Sequence, residues 1–394
     1  MMGLGSIIGT GVFVSIGIVA GVAGPSVILA ILIAAFVATC NALNSAQLAA
    51  NHPVSGGTYE YGYRWLQPWL GFSAGWMFLC AKTASAATAA LGFAGYLLNA
   101  TGQDSRWLTP LAVTTVLLLT AVVLLGVRLS SSLNIVVVSV TLLSLGLFVL
   151  CGARSVHASN LTLDVEPASL LRACALMFVA YTGYGRIATL GEEVVEPRRT
   201  IPRAIITTLA VSAAFYVAVA IVAVGVVGAP QLARVTRESA APLEAVAQSF
   251  SPSIARLVAV GAMTAMLGVL LNLVLGLSRM VLAMGRRGDA PWGTSNLAIA
   301  VVVVGAAIAG LALIGNVRTT WSFSAFTVLV YYSITNLAAL QLQTGERLYS
   351  RGWAWGGLVS CLALAFSIEP RVWLAGVAII GVGLAARWLF QRMK

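Results

Sequence analysis

The sequence predicts an all-α polytopic membrane protein of about twelve transmembrane helices, and three observations carry that prediction. Of 394 residues, 59% are hydrophobic and only 9% are charged, whereas a soluble domain is about a quarter charged. So few charges cannot dress a water-facing surface. The apolar residues also fall in long runs, divided at charged, Pro-rich and Gly-rich positions. Finally, the net charge of +11 sits mostly as arginines between those runs, where it orients helices at a membrane rather than marking a nucleic-acid partner.

A bilayer core takes about 20 apolar residues per helix, and dividing the chain on that basis gives spans at roughly 3–22, 26–49, 70–99, 107–126, 133–152, 168–189, 203–228, 255–284, 295–315, 319–341, 352–367 and 371–389. The third and eighth exceed what a bilayer requires, which implies tilt or extension beyond it. Basic residues concentrate in the loops after the even-numbered spans and at the C-terminus, among them Arg128, Arg198, Arg199, Arg203, Arg286, Arg287, Arg347, Arg351 and Arg387. By the positive-inside rule both termini are cytoplasmic, and the membrane expected is the plasma (inner) membrane. The first apolar segment lacks the charged region of a cleavable signal. Cys40, Cys80, Cys151, Cys174 and Cys361 have no metal-ligand spacing and read as small buried hydrophobes. Trp65, Trp69, Trp76 and Trp321 lie near span ends and read as interfacial anchors. His52 and His157 read as surface loop residues.

Two spans carry sequences that resist staying helical. The first reads Gly3-Leu4-Gly5-Ser6-Ile7-Ile8-Gly9-Thr10-Gly11-Val12-Phe13, and each glycine weakens a helix by about 1 kcal/mol relative to Ala. The sixth reads Phe178-Val179-Ala180-Tyr181-Thr182-Gly183-Tyr184-Gly185. Close packing through small residues would explain one such stretch. Two, five spans apart, point instead to interrupted helices around a transport site, because unwound backbone at membrane depth must be buried or line a cavity. A helix restarting near Thr10–Val12 offers N–H groups to a carboxylate. Carbonyls freed at the sixth-span break suit an ammonium. A zwitterion between the two is the ligand such a pair would hold.

These residues resemble the amino acid–polyamine–organocation family of permeases. The likeness extends to Pro53-Val54-Ser55-Gly56-Gly57-Thr58-Tyr59-Glu60-Tyr61, to Gly191-Glu192-Glu193-Val194 through Pro197-Arg198-Arg199-Thr200-Ile201-Pro202-Arg203, and to Ser278-Arg279 with Ala283-Met284-Gly285-Arg286-Arg287-Gly288-Asp289. The resemblance implies a LeuT-like 5+5 inverted repeat, with residues 1–152 as the first unit, 153–342 as the second and 343–394 as two peripheral spans. It implies a carboxylate site on Ser6, Ile7, Gly9, Thr10 and Gly11 and an amine site on Phe178, Ala180 and Tyr181, with Val179 and Gly183 among the substrate-binding residues. It also implies that spans 1, 2, 6 and 7 rock against spans 3, 4, 8 and 9.

The sequence departs from the family pattern at four places. Only Met1–Leu4 precede the first break, so either the true start lies upstream or the cytoplasmic half of this helix is missing. Val179 replaces a residue that is often aromatic and gates the site, leaving room for a larger substrate or passing the gate to Tyr184. Thr141 stands where proton-coupled relatives carry a fifth-span lysine. The connection from Asp289 to Asn296 is short.

Lys82 lies well inside the third span, where insertion costs about 2.5–3.5 kcal/mol and ionisable residues are functional by default. It reads as a proton carrier, as a cationic anchor for a substrate carboxylate, or as a lysine that snorkels to an interface. Glu192, Glu193 and Arg199 form either a solvated ion-pair cluster or an inner gate.

The function expected is secondary transport of amino acids by alternating access. Carriage of polyamines or other organic cations is the alternative within the family. An ion channel would draw its filter from oligomeric symmetry, and a membrane-embedded enzyme would need a catalytic pair at depth that the spans do not offer. A small-molecule substrate and the bilayer are the partners expected, with no nucleic acid and no resident cofactor. The residues leave open coupling to H⁺, to Na⁺ or to neither.

Overall fold

A computed structural model of the chain describes residues 5, 7–54, 56–126, 131–185, 197–289 and 296–392. Those residues form helices α1 (Ile16–Ala23), α2 (Val27–Asn51), α3 (Thr58–Trp65), α4 (Pro68–Thr101), α5 (Leu108–Leu124), α6 (Ser131–Gly152), α7 (Pro167–Tyr181) and α8 (Pro197–Val227). They continue with α9 (Ala229–Ser239), α10 (Pro242–Gln248), α11 (Pro252–Arg287), α12 (Leu297–Ile314), α13 (Val317–Leu340), α14 (Arg351–Ser367) and α15 (Pro370–Arg392). Among the described residues, nine stretches are long and apolar enough to cross a membrane. One of them, Gly11–Asn51, contains both α1 and α2, joined where Gly24 takes φ 56° ahead of Pro25. α7 and α14, at 15 and 17 residues, fall short of that length.

Both breaks lie where the glycines put them. The backbone bends at Ile8–Gly9, and the N–H groups of Val12 and Phe13 both turn onto the Gly9 carbonyl, at 3.1 and 3.3 Å. The chain then runs through a π-helical turn, Gly11–Ser15, before α1 begins. In the sixth span, α7 gives way after Tyr181 to a 3₁₀ turn over Thr182–Tyr184. The Thr182 hydroxyl donates to the Val179 carbonyl at 2.8 Å and so ties off the end of the helix.

Packing divides the helices into two sets. α4 and α11 are the long helices, of 34 and 36 residues, as the excess length of the third and eighth spans predicts. They pack on each other, α5 packs on α12, and α4 also packs on α13. The other set has α2 against α7 and α8, with α1 against α7. Between the sets, buried amides meet in pairs: Asn336 donates to Asn41 and Asn44 donates to Asn336, each at 2.7 Å. At bilayer depth such groups must find partners within the protein.

Three helices were not foreseen, all in connections read as loops. α3 follows α2 at one end of the bundle. At the opposite end, α9 and α10 form a hairpin turning at Ala240, the one described non-glycine residue with positive φ (55°). Cys40, Cys174 and Cys361 are buried as expected, whereas Cys151 is exposed. α6 presents much of its surface outward, so Cys151 lies on the face that meets lipid rather than in the core.

Candidate functional site

A cavity of about 60 Å³ opens between the two breaks. The first break contributes Ile7, Thr10 and Gly11, and the sixth-span break contributes Val179, Ala180, Thr182 and Gly183. Lys82 and Ser85 of α4, Val269 and Leu273 of α11, and Trp321 of α13 complete the lining. One set of helices therefore supplies the broken backbone and the other supplies the charge and the apolar wall.

The breaks press on each other here. A Cβ at Gly11 would meet Ala180 Cβ and the Tyr216 hydroxyl at 2.8 Å, so only glycine admits this approach. Tyr216, fully buried on α8, bridges the two: its hydroxyl lies 2.8 Å from the Ile7 carbonyl and 3.1 Å from that of Ala180. One phenol carries one proton, so the two acceptors share it. The Ala180 carbonyl, expected to be free for an ammonium, thus already accepts from Tyr216, and the neighbouring Val179 carbonyl accepts from Thr182. The N–H of Val12 is bonded to Gly9 rather than open. Backbone groups that a broken helix releases are reclaimed by nearby hydroxyls and turns, because none can stay unpaired away from water.

Side chains, by contrast, leave binding capacity open. Thr10 is 5% exposed, and its hydroxyl has no hydrogen-bond partner. Lys82 Nζ donates to the Thr182 hydroxyl at 2.9 Å, and an ammonium has three donors. Lys82 is the one charged residue in the lining among the described residues. It therefore reaches the sixth-span break instead of snorkelling to an interface.

Of the residues singled out from sequence, Ile7, Thr10, Gly11, Lys82, Val179, Ala180 and Gly183 line the cavity. Gly9 instead faces Val269, which a Cβ would meet at 2.7 Å. Phe178 packs edge-on against Tyr332 at 5.5 Å. Tyr181 donates to the Ile31 carbonyl at 3.2 Å. Tyr184 is buried against Tyr332, ring centroids 5.5 Å apart. Thr141 donates within its own helix to Val137 at 2.8 Å, away from the cavity lining. Arg199 is exposed; Ser6, Glu192 and Glu193 lie outside the described residues.

Ser85, Thr182, Val269, Leu273 and Trp321 were missed. Trp321 corrects the interfacial reading. It is 2% exposed, and its indole N–H donates to the Leu176 carbonyl at 2.9 Å, deep within the bundle.

The amino acid permease family model matches residues 1–382. The chain belongs to the amino acid permease family. It is 40% identical to an uncharacterised transporter of Mycobacterium tuberculosis over 98% of this chain and 88% of the relative. A branched-chain amino acid permease of Bacillus subtilis is 28% identical over 75% of this chain and 68% of its own length. A methylthioribose transporter of the same organism is 26% identical over 100% and 92%.

Proposed function

We propose that this permease carries small neutral amino acids across the plasma membrane by alternating access, holding the substrate carboxylate between Lys82 and Thr10. The single observation behind this reading is the cavity itself, where an unpartnered buried hydroxyl and a lining cation, Lys82, share a pocket with two helix breaks. A carboxylate satisfies both groups at once, and a charge-assisted hydrogen bond is about twice as strong as a neutral one. Ile7, Val179, Val269 and Leu273 leave an apolar space for an aliphatic side chain. The α-ammonium goes to the second lone pairs of the Ile7 and Ala180 carbonyls.

Lys82 weighs against the polyamine and organic-cation alternative. A second cation within about 5 Å costs about 3 kcal/mol at an effective dielectric near 20. Two five-span units, 1–152 and 153–342, with both termini in the cytoplasm, supply the frame. The set containing α1, α2, α7 and α8 rocks against α4, α5, α11 and α12, the division their packing follows.

Uptake of pooled labelled amino acids into proteoliposomes tests the proposal, with and without a pH gradient, a sodium gradient and unlabelled amino acid inside. Saturable uptake from a neutral, aliphatic pool is the expected result, and the driving condition identifies the coupling. Uptake confined to lysine, arginine or polyamines would overturn it.

A further inference from the structure

The α9–α10 hairpin contains an ionisable group that the transport site does not use. Glu244 of α10 is 5% exposed, and its Oε2 has no hydrogen-bond partner. It belongs to a closely seated lid. A Cβ at Gly95 of α4 would overlap the Ser239 carbonyl oxygen, and one at Gly17 of α1 would overlap the Thr236 hydroxyl. At Gly21 it would come within 2.9 Å of Ala233. The hairpin thus rests on bare backbone of both helix sets, α1 from the broken span and α4 from the scaffold. Tyr96 fastens it: the Leu243 N–H donates to the Tyr96 hydroxyl at 3.3 Å, and that hydroxyl donates to the Phe13 carbonyl of the π turn at 2.9 Å.

We infer that Glu244 is a proton-binding site on the extracellular lid, and that protonating it favours the closed lid over the first broken helix. The side assignment rests on the transport reading above; the proton site rests on the lid's own packing. Lifting the hairpin off Gly17, Gly21 and Gly95 hydrates the carboxyl, whereas seating it buries the group with one oxygen unpartnered. A buried carboxylate without partners is costly, and a buried carboxylic acid much less so.

The surroundings offset that cost only in part. From α4, Tyr96 and Asn99 face the carboxyl, and Asn99 favours its ionised form. The charged residues of α9 point elsewhere: Arg234 and Glu238 pair with each other in the open, and Arg237 lines a separate crevice beside Gly17 and Arg318. On α11, Arg256 is exposed. On α8, Arg199 and Arg203 lie at the opposite end, and the π turn has no charged residue. Burial accordingly pushes the Glu244 carboxyl up from 4.5 to about 7. With the lid lifted the group returns to its ordinary range. Closing therefore takes up a proton between those limits; the advantage of the closed lid is full below pH 4.5 and is lost as pH rises through 7. A displacement of this size shifts the closing equilibrium on the order of a hundredfold.

The test reads the lid directly and needs no transport. Thr236→Cys, buried against Gly17, is placed in a Cys151→Ser background, and the full chain in nanodiscs is labelled with a membrane-impermeant maleimide from pH 5 to pH 8. Rates are divided by those of the same protein carrying Glu244→Gln, which cancels the thiol's own titration. The ratio should rise about tenfold or more between pH 5 and pH 7 and level off above that. Asn99→Ala should move the midpoint to higher pH. Dividing its rates by those of the Thr236→Cys protein with Asn99 intact also cancels the thiol's titration, so this second comparison decides the test if Glu244→Gln does not fold. A ratio flat across pH, or a midpoint unmoved by Asn99→Ala, overturns the proton site and leaves the transport reading intact. Failure of uptake in proteoliposomes, with the labelling ratio still rising, overturns the transport reading instead.

Discussion

At the scale of single residues, the site is a contest between a lysine's hydration and what the fold offers in exchange. Lys82 gives up water for one hydroxyl, Thr182, at 2.9 Å, an exchange that the substrate carboxylate completes under the proposed reading. Removing the charge while keeping the stem, as in Lys82→Met, deletes a hydrogen bond to a charged group worth about 1.5–3 kcal/mol. The KM for a neutral amino acid should rise about 10- to 100-fold in proteoliposome uptake, and inhibition by lysine should strengthen as repulsion is lifted. Unchanged KM and unchanged lysine inhibition would show that Lys82 touches neither. Thr10→Val removes a bond to the same carboxylate that is charged on the acceptor side only, and should raise KM at the lower end of that range, about tenfold. Lys82 was legible because a lysine inside an apolar run has few innocent explanations. Trp321 and Glu244 were not, because a tryptophan near a span end and a glutamate in a connection look ordinary until the packing buries them.

At the scale of elements, glycine patterns announced both breaks but not what fills them. Four glycines with a polar pair in the first span, and Gly183 in the sixth, mark weak helix by propensity alone. That Tyr216, 36 residues beyond Ala180, would return to clamp both breaks is a long-range fact that no local pattern contains. The hairpin α9–α10 escaped for a similar reason, since two short helices are stabilised mainly by the surface they cover. Gly11 is where the element-scale argument is sharpest. A methyl group there meets Ala180 backbone at 3.0 Å and the Tyr216 hydroxyl at 2.8 Å, neither of which is the loose end of a flexible side chain. Overpacking of this kind costs about 1–3 kcal/mol. Gly11→Ala should leave the protein folded in detergent, as judged by size-exclusion profile, yet reduce counterflow exchange at least tenfold. Gly276→Ala, a helical glycine with no neighbour within 4 Å, should exchange normally and separates the clash from a general effect of losing glycine.

At the scale of the whole molecule, two of the motifs that carried the family resemblance turn out to be halves of one junction. Tyr59 and Glu60 of α3 belong to the motif after the second span, and Arg287 and Asp289 to the one closing the eighth. Glu60 pairs with Arg287 at 3.0 Å, and Tyr59 donates to Asp289 at 2.8 Å. Tyr63 also donates to Asp289, and Arg387 of α15 completes the cluster at 3.0 Å. A helix expected to be peripheral is thus bolted to the scaffold through a carboxylate that is 2% exposed. The α3 residues lie more than two hundred positions from Arg287 and Asp289, so their meeting could be read only from the fold. A buried pair contributes little over an apolar contact, but breaking it by removing one partner costs about 3–5 kcal/mol, because the remaining charge stays buried. Arg387→Ala should therefore lower the thermal midpoint of the detergent-solubilised protein by more than Asp289→Asn does, since the latter leaves an arginine that is 11% exposed and nearer to water. Combining the two should restore much of what Arg387→Ala loses, for no unpaired charge remains. Strictly additive losses would mean that Arg387 holds α15 by its stacking over Phe72, 5.3 Å from the ring, and that the ion pair is incidental to how the last helix joins the rest.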